Sequence, residues 1–212
     1  MIETDPVQYF SWIVVVMFSI CVHEFAHAYT ALKCGDDTAA RAGHLSLNPL
    51  VQMGGMSLFM LILIGIAWGA VPVDRDRMKF RYGDAITSFA GPLSNVVLAI
   101  VFGALVVVVE SVLPEGTGER MIALQLCNLG AWANGTLFIL NMLPAPPLDG
   151  WSVFAAFIPG MRRVSDRVAK GITLAFILLI FVTPVGMLLW GGGYLMKELI
   201  VASWRGVFGV FA

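Results

Sequence analysis

Five stretches of this chain carry no Asp, Glu, Lys, Arg or His: residues 6–22, 45–73, 85–109, 121–148 and 171–196. A helix needs about 20 apolar residues to cross a hydrocarbon layer of roughly 30 Å. Four stretches have that length outright. The first is shorter but continues as an apolar helix through His23, Glu24 and His27 to about Leu32. Residues 21–29 continue the helical pattern, so this first segment reads as a retained helix rather than a signal peptide. The pattern predicts an all-α integral membrane protein, a polytopic bundle of about five to six membrane segments.

The stretch 45–73 supports two readings. Its apolar heart, 56–67, is short, and Gly54, Gly55, Gly65, Gly69 and Pro72 punctuate the whole. It either spans or enters and returns as a short re-entrant or β-hairpin element after the first helix, its backbone covered by protein. Basic residues favour the second reading. Lys33 and Arg41 follow the first helix, Arg75, Arg77, Lys79 and Arg81 crowd one loop, and Arg162, Arg163, Arg167 and Lys170 another. A re-entrant 45–73 puts all three groups on one side, as the positive-inside rule prefers, with Glu3 and Asp5 opposite. Ile172 through Leu189, with Pro184, reads as a kinked membrane helix. Trp151, Trp190 and Trp204 read as interface markers, and 201–212 as an interfacial helix or a frayed end.

Composition agrees. Of 212 residues, 58% are hydrophobic and 13% charged, against about 45–50% and 25% in soluble domains. This excludes a disordered chain and argues against a water-soluble globule. A net charge of −1 gives no basic patch for nucleic acid. Cys21, Cys34 and Cys127 are too scattered for a disulfide scaffold. The length and short loops predict a single membrane-embedded domain over 1–212. Oligomeric state is not encoded in any of these patterns.

Against that background one cluster stands out. His23 and His27 flank Glu24 in His23-Glu24-Phe25-Ala26-His27, inside an apolar helix. A separation of four puts both imidazoles on one helix face, one turn apart, which suits two ligands on one zinc ion. Glu24 then lies where it can take a proton from zinc-activated water. The plainer reading is a polar face satisfied by internal hydrogen bonds. Ionisable groups are costly in a membrane helix, and a cation compensates three of them at once.

Catalytic zinc wants a third protein ligand and an open position. Glu110 sits near the aqueous boundary, Asp84 and Asp166 lie in basic loops, and His44 follows a polar turn. Asp149 closes the run Asn141-Met142-Leu143-Pro144-Ala145-Pro146-Pro147-Leu148-Asp149-Gly150, whose prolines break the helix at about Leu143. Asp-Gly alone is an ordinary turn pair. Beside the His-Glu-x-x-His helix, the ligand reading of Asp149 is preferred.

Together these segments resemble the site-2 protease family of intramembrane zinc metalloproteases, in its compact subgroup without extra soluble domains. The similarity runs through His23-Glu24-Phe25-Ala26-His27-Ala28, Gly43-His44-Leu45-Ser46-Leu47-Asn48-Pro49-Leu50, Phe89-Ala90-Gly91-Pro92-Leu93-Ser94-Asn95 at the start of a core helix, and 141–150. It implies one zinc per chain on His23, His27 and Asp149, Glu24 as general base, and Asn141 at the substrate backbone or oxyanion, with Asn95 in a supporting part. One departure is Val51-Gln52-Met53-Gly54-Gly55, where small members carry a His-x-Asp pattern after Asn-Pro-Leu.

The expected function is an intramembrane zinc endopeptidase in the membrane of a prokaryote. It would act on transmembrane or signal-peptide-like helices, with the lipid bilayer as its surroundings. The alternative is a zinc-binding membrane transporter or sensor without hydrolysis. It is disfavoured because the polar groups concentrate in one place instead of lining a path.

Overall fold

The computed structural model describes residues 6–209; Glu3, Asp5 and the end of the 201–212 stretch lie outside them. Nine α-helices and no strand occur among the described residues. They are α1 (Pro6–Cys34), α2 (Thr38–Arg41), α3 (Pro49–Gln52), α4 (Gly54–Ile64), α5 (Gly83–Val112), α6 (Gly118–Asn141), α7 (Asp149–Ala155), α8 (Asp166–Val182) and α9 (Val185–Phe208). By length and composition α1, α5, α6 and α9 can each cross a membrane. With α4 and α8, six apolar helices form an all-α polytopic bundle, and the chain is a multi-pass membrane protein.

The two readings of 45–73 are separated by its ends. The Asp74 N–H donates to Asp36 Oδ2 at 2.7 Å, and the Lys79 N–H to the Cys34 carbonyl at 2.9 Å. Arg77 and Arg41 both pair with Asp37 at 2.6 Å. The segment therefore leaves and rejoins the same end of α1, so it re-enters. Its inward limb is α3 and α4. At Gly65 a left-handed backbone (φ 77°) caps α4, and the Gly65 carbonyl accepts from Trp12 Nε1 at 2.8 Å. The return limb, 66–74, is extended but pairs with no strand. Its Trp68 N–H bonds to Ser57 Oγ and its Ala70 N–H to the Gln52 carbonyl. The re-entrant element is thus half helix, half extended chain, and not a β-hairpin, because a helix side chain and a helix-end carbonyl, not a second strand, take its bonds at Trp68 and Ala70.

Gln52, at the departure from the family pattern, holds this element together. Its side chain is 1% exposed. Nε2 donates to the His44 and Ser46 carbonyls, and Oε1 faces His44 Nδ1 at 3.0 Å. His44 is therefore a partner of Gln52.

Two expectations at prolines change. Residues 89–95 were expected at a helix start, yet α5 begins at Gly83 and runs on through Pro92. Pro92 has no N–H to offer the Ser88 carbonyl four residues back. Around Pro184 the chain does not kink but breaks into α8 and α9. Thr183, preceding proline, is extended at φ −116°, ψ 162°. Trp190 lies against Trp132 and Trp12 with ring centroids 5.3 and 5.9 Å away and the rings tilted at 51°. Glu110 pairs with Arg205 at 2.6 Å, at the end opposite the basic loops.

Candidate metal centre

Helix α1 carries His23, Glu24 and His27 toward α5, and each is only 7% exposed. The chain break after α6 brings Asp149, the first residue of α7, to the same point. Asp149 Oδ2 lies 3.1 Å from His23 Nε2, and Oδ1 lies 3.3 Å from His27 Nε2. The two Nε2 atoms are 3.0 Å apart. Among the described residues this is the one group of His, Cys, Asp or Glu with convergent ligand atoms. Of the expected site residues, His23, His27 and Asp149 come together directly. Glu24 and Asn141 line the same cavity, of about 680 Å³.

Hydrogen bonds determine which imidazole nitrogens carry protons. The Gly130 carbonyl can only accept, so the Asn134 amide NH₂ points to it at 2.8 Å. Asn134 Oδ1 therefore accepts from Asn95 Nδ2 at 2.9 Å. That turns Asn95 Oδ1 toward His23 Nδ1, at 2.7 Å. His27 Nδ1 likewise faces the Thr87 carbonyl at 2.7 Å. Both Nδ1 atoms are thus the donors, and both Nε2 atoms of the neutral imidazoles present lone pairs. Two lone pairs and a carboxylate aimed at one point repel one another unless a cation lies between them. The donor set fits a divalent metal with nitrogen and oxygen ligands.

Glycines leave the space. A Cβ on Gly91 would overlap Nε2 of both histidines, and a Cβ on Gly69 would overlap the Glu24 carboxylate. Gly91 keeps α5 clear of the ligand point, and Gly69 brings the return limb against Glu24. Thr87 Oγ1 is buried in the cavity wall with no hydrogen-bond partner in the described structure.

Asn134 was missed by sequence reasoning. It is 0% exposed and donates also to Ser19 Oγ at 2.9 Å. A signal was present, since an Asn in the charge-free stretch 121–148 is costly in lipid unless bonded. Asn128 and Asn141 share that stretch, and sequence alone does not rank them.

Comparison with known proteins identifies the family. Peptidase family M50 matches over residues 112–183. "Putative zinc metalloprotease YwhC" of Bacillus subtilis is 34% identical over 182 residues, covering 84% of this chain and 83% of that protein. The chain belongs to peptidase family M50. "Putative zinc metalloprotease Rip2" of Mycobacterium tuberculosis is also 34% identical, covering 79% of this chain and 65% of its own length. Rip3 of the same organism is 26% identical over 162 residues, 34% of its length. No solved structure matches. The M50 family is zinc dependent, and membership makes this chain a zinc metalloprotease of the membrane. The non-hydrolytic transporter or sensor is set aside on that ground.

Proposed function

We propose that this M50 protein is an intramembrane endopeptidase, one catalytic domain over its whole length, that cuts transmembrane or signal-peptide-like helices. The observation that carries the reading is the position of the ligand set. His23, His27 and Asp149 converge among helices long enough to cross a membrane, on a cavity that also holds Glu24 and Asn141.

In this reading His23, His27 and Asp149 hold the zinc. Bound there, zinc supplies a Lewis acid that polarises a carbonyl and acidifies water. Glu24 takes the proton of the attacking water and delivers it to the leaving nitrogen, as a general base and then acid. Asn141, in the last turn of α6, donates a hydrogen bond to the oxygen that becomes negative. The Asn95 and Thr87 acceptors keep both imidazoles turned inward throughout.

A helix entering the cavity must be unwound before its peptide bonds can be reached. The return limb supports a way to do so. Trp68 and Ala70 bond back toward α4 and α3. In extended chain the neighbouring residues face the other way, so Gly69 and Val71 offer backbone donors and acceptors on the cavity side. An unwound substrate strand recovers its lost hydrogen bonds there.

The test is Glu24→Gln in purified, zinc-loaded protein with a transmembrane reporter. Zinc stoichiometry stays at the wild-type value and cleavage is abolished. Cleavage persisting in Glu24→Gln would remove Glu24 from its role.

A further inference from the structure

A second cavity, of about 660 Å³, adjoins the catalytic one at the basic end of the bundle. Arg75, Lys79, Arg81 and Arg162 line it, against the carboxylates of Asp84 and Asp166. Lys79 and Arg81 make no ion pair among the described residues. Arg162 uses its Nε–H on the Ala155 carbonyl at 2.9 Å and keeps its other donors. The walls between the charges are apolar and aromatic, including Phe80, Trp151 and Met161. A merely solvated charged surface does not gather four cations into one concavity.

The two cavities share a wall. Arg75 and Asp84 line both. Their ion pair, at 2.9 Å, is anchored by an Arg75 hydrogen bond to Ser152 Oγ at 2.8 Å. Ser152 lies one turn along α7 from Asp149, and Ala155, on the wall of the second cavity, one turn further. At ~1.5 Å per residue, Asp149 and Ala155 are about 9 Å apart along the helix. Extended polypeptide covers that in about three residues.

We infer that the second cavity is a specificity vestibule that takes acidic residues of the substrate's flank, on the side of the cut facing the basic end of the bundle. The inference rests on the protease reading above and names which helices that site accepts. Continuity with the catalytic cavity favours a peptide occupant, because a chain held at Asp149 reaches the vestibule within a few residues. The like-charge effect is the complement. By the positive-inside rule the basic end is cytoplasmic, and most membrane helices carry Lys or Arg at that face. Such flanks meet a lining that stays net positive, with Lys79 and Arg81 outside any ion pair among the described residues, and are repelled, whereas an Asp- or Glu-bearing flank is drawn in. A protease surrounded by membrane helices thereby avoids most of them.

The test uses full-length, zinc-loaded protein in phosphatidylcholine vesicles. Three transmembrane peptides share one span and differ only in a flanking pair, Asp-Asp, Asn-Asn or Lys-Lys, three to six residues from the cut. KM is expected to rise in that order, by about tenfold or more between the ends, with kcat little changed. Lys79→Glu with Arg81→Glu reverses the order. Arg163→Glu, outside the cavity, leaves it intact, and circular dichroism with zinc content verifies folding. Equal KM values, or a wild-type order in the reversal variant, overturn the inference. So does a preference that vanishes when phosphatidylglycerol is included, which makes the cavity a lipid-headgroup site. Binding of the same peptides to Glu24→Gln, followed by fluorescence, separates the two readings. An acidic preference in binding with no peptide cut by the wild type keeps the vestibule and counts against the protease reading alone.

Discussion

Asn95 Oδ1 lies 2.7 Å from His23 Nδ1, though 72 residues separate the two in sequence. The contact makes one helix of the bundle the orienting element for a candidate ligand on another. It leaves Nε2 of His23 as the lone-pair nitrogen facing His27 and Asp149.

Asn95→Leu removes that acceptor and leaves the Nδ1–H of His23 buried without a partner. Loss of such an outer hydrogen bond typically weakens metal binding about 10–100-fold. A competition titration against a chromophoric chelator should show a drop of that size, and Asn95→Asp should recover most of it. Unchanged affinity in Asn95→Leu would mean that the ring is held by packing alone.

Asn134→Leu acts one step further out. It leaves the Asn95 amide and Ser19 Oγ without a shared partner in a fully buried position. A buried group left unsatisfied costs about 1–3 kcal/mol. The expected outcome is a lower unfolding free energy in micelles, with zinc affinity less affected than in Asn95→Leu. The reverse ranking would show that Asn134 acts mainly on the metal site.

Gly91→Ala tests the ligand point sterically. The added methyl would overlap Nε2 of both histidines, so zinc content should fall well below the wild-type value while helix content by circular dichroism persists. Gly171→Ala is the control, because a Cβ there meets open space. Full zinc in Gly91→Ala would place the metal elsewhere.

Asp36 ties the two ends of the re-entrant element. Burial pushes its carboxyl up, but hydrogen bonds from Thr38 and Asp74, with the Arg77 guanidinium, outweigh burial and hold it below the usual carboxylate range. A group with a depressed folded-state pKa stabilises fully above its ordinary, unfolded value and loses that contribution as pH falls through the folded one. Wild type should therefore exceed Asp36→Asn in resistance of the 36–74 region to proteolysis at neutral pH, and the gap should close on acidification below the carboxylate range. A gap independent of pH would refute the assignment to Asp36.

Much of the site was legible beforehand. His23, Glu24 and His27 are local, so helical periodicity alone puts the two imidazoles on one face. Asp149 was legible because few charged residues occur in the apolar stretches and Pro144, Pro146 and Pro147 marked a break. The hydrogen-bond chain through Asn95 and Asn134 was not, because side-chain amides in lipid signal only that some partner exists. The direction of 45–73 was open for a similar reason. Hydropathy measures affinity for lipid, and a segment that enters and returns is as apolar as one that crosses.

The amino-acid sequence by itself determined a helical membrane bundle, a helix with two imidazoles on one face beside a carboxylate, and a distant aspartate at a broken helix. Length, periodicity and proline chemistry are local properties, and they suffice for that. Only the tertiary structure decided that residues 45–73 re-enter, that α8 and α9 are separate, which imidazole nitrogens face the metal point, and that the basic loops share a cavity beside it. The re-entry and the imidazole orientation depend on atoms that meet across 38 to 115 residues of chain. Packing selects such pairings from many that the local pattern allows equally.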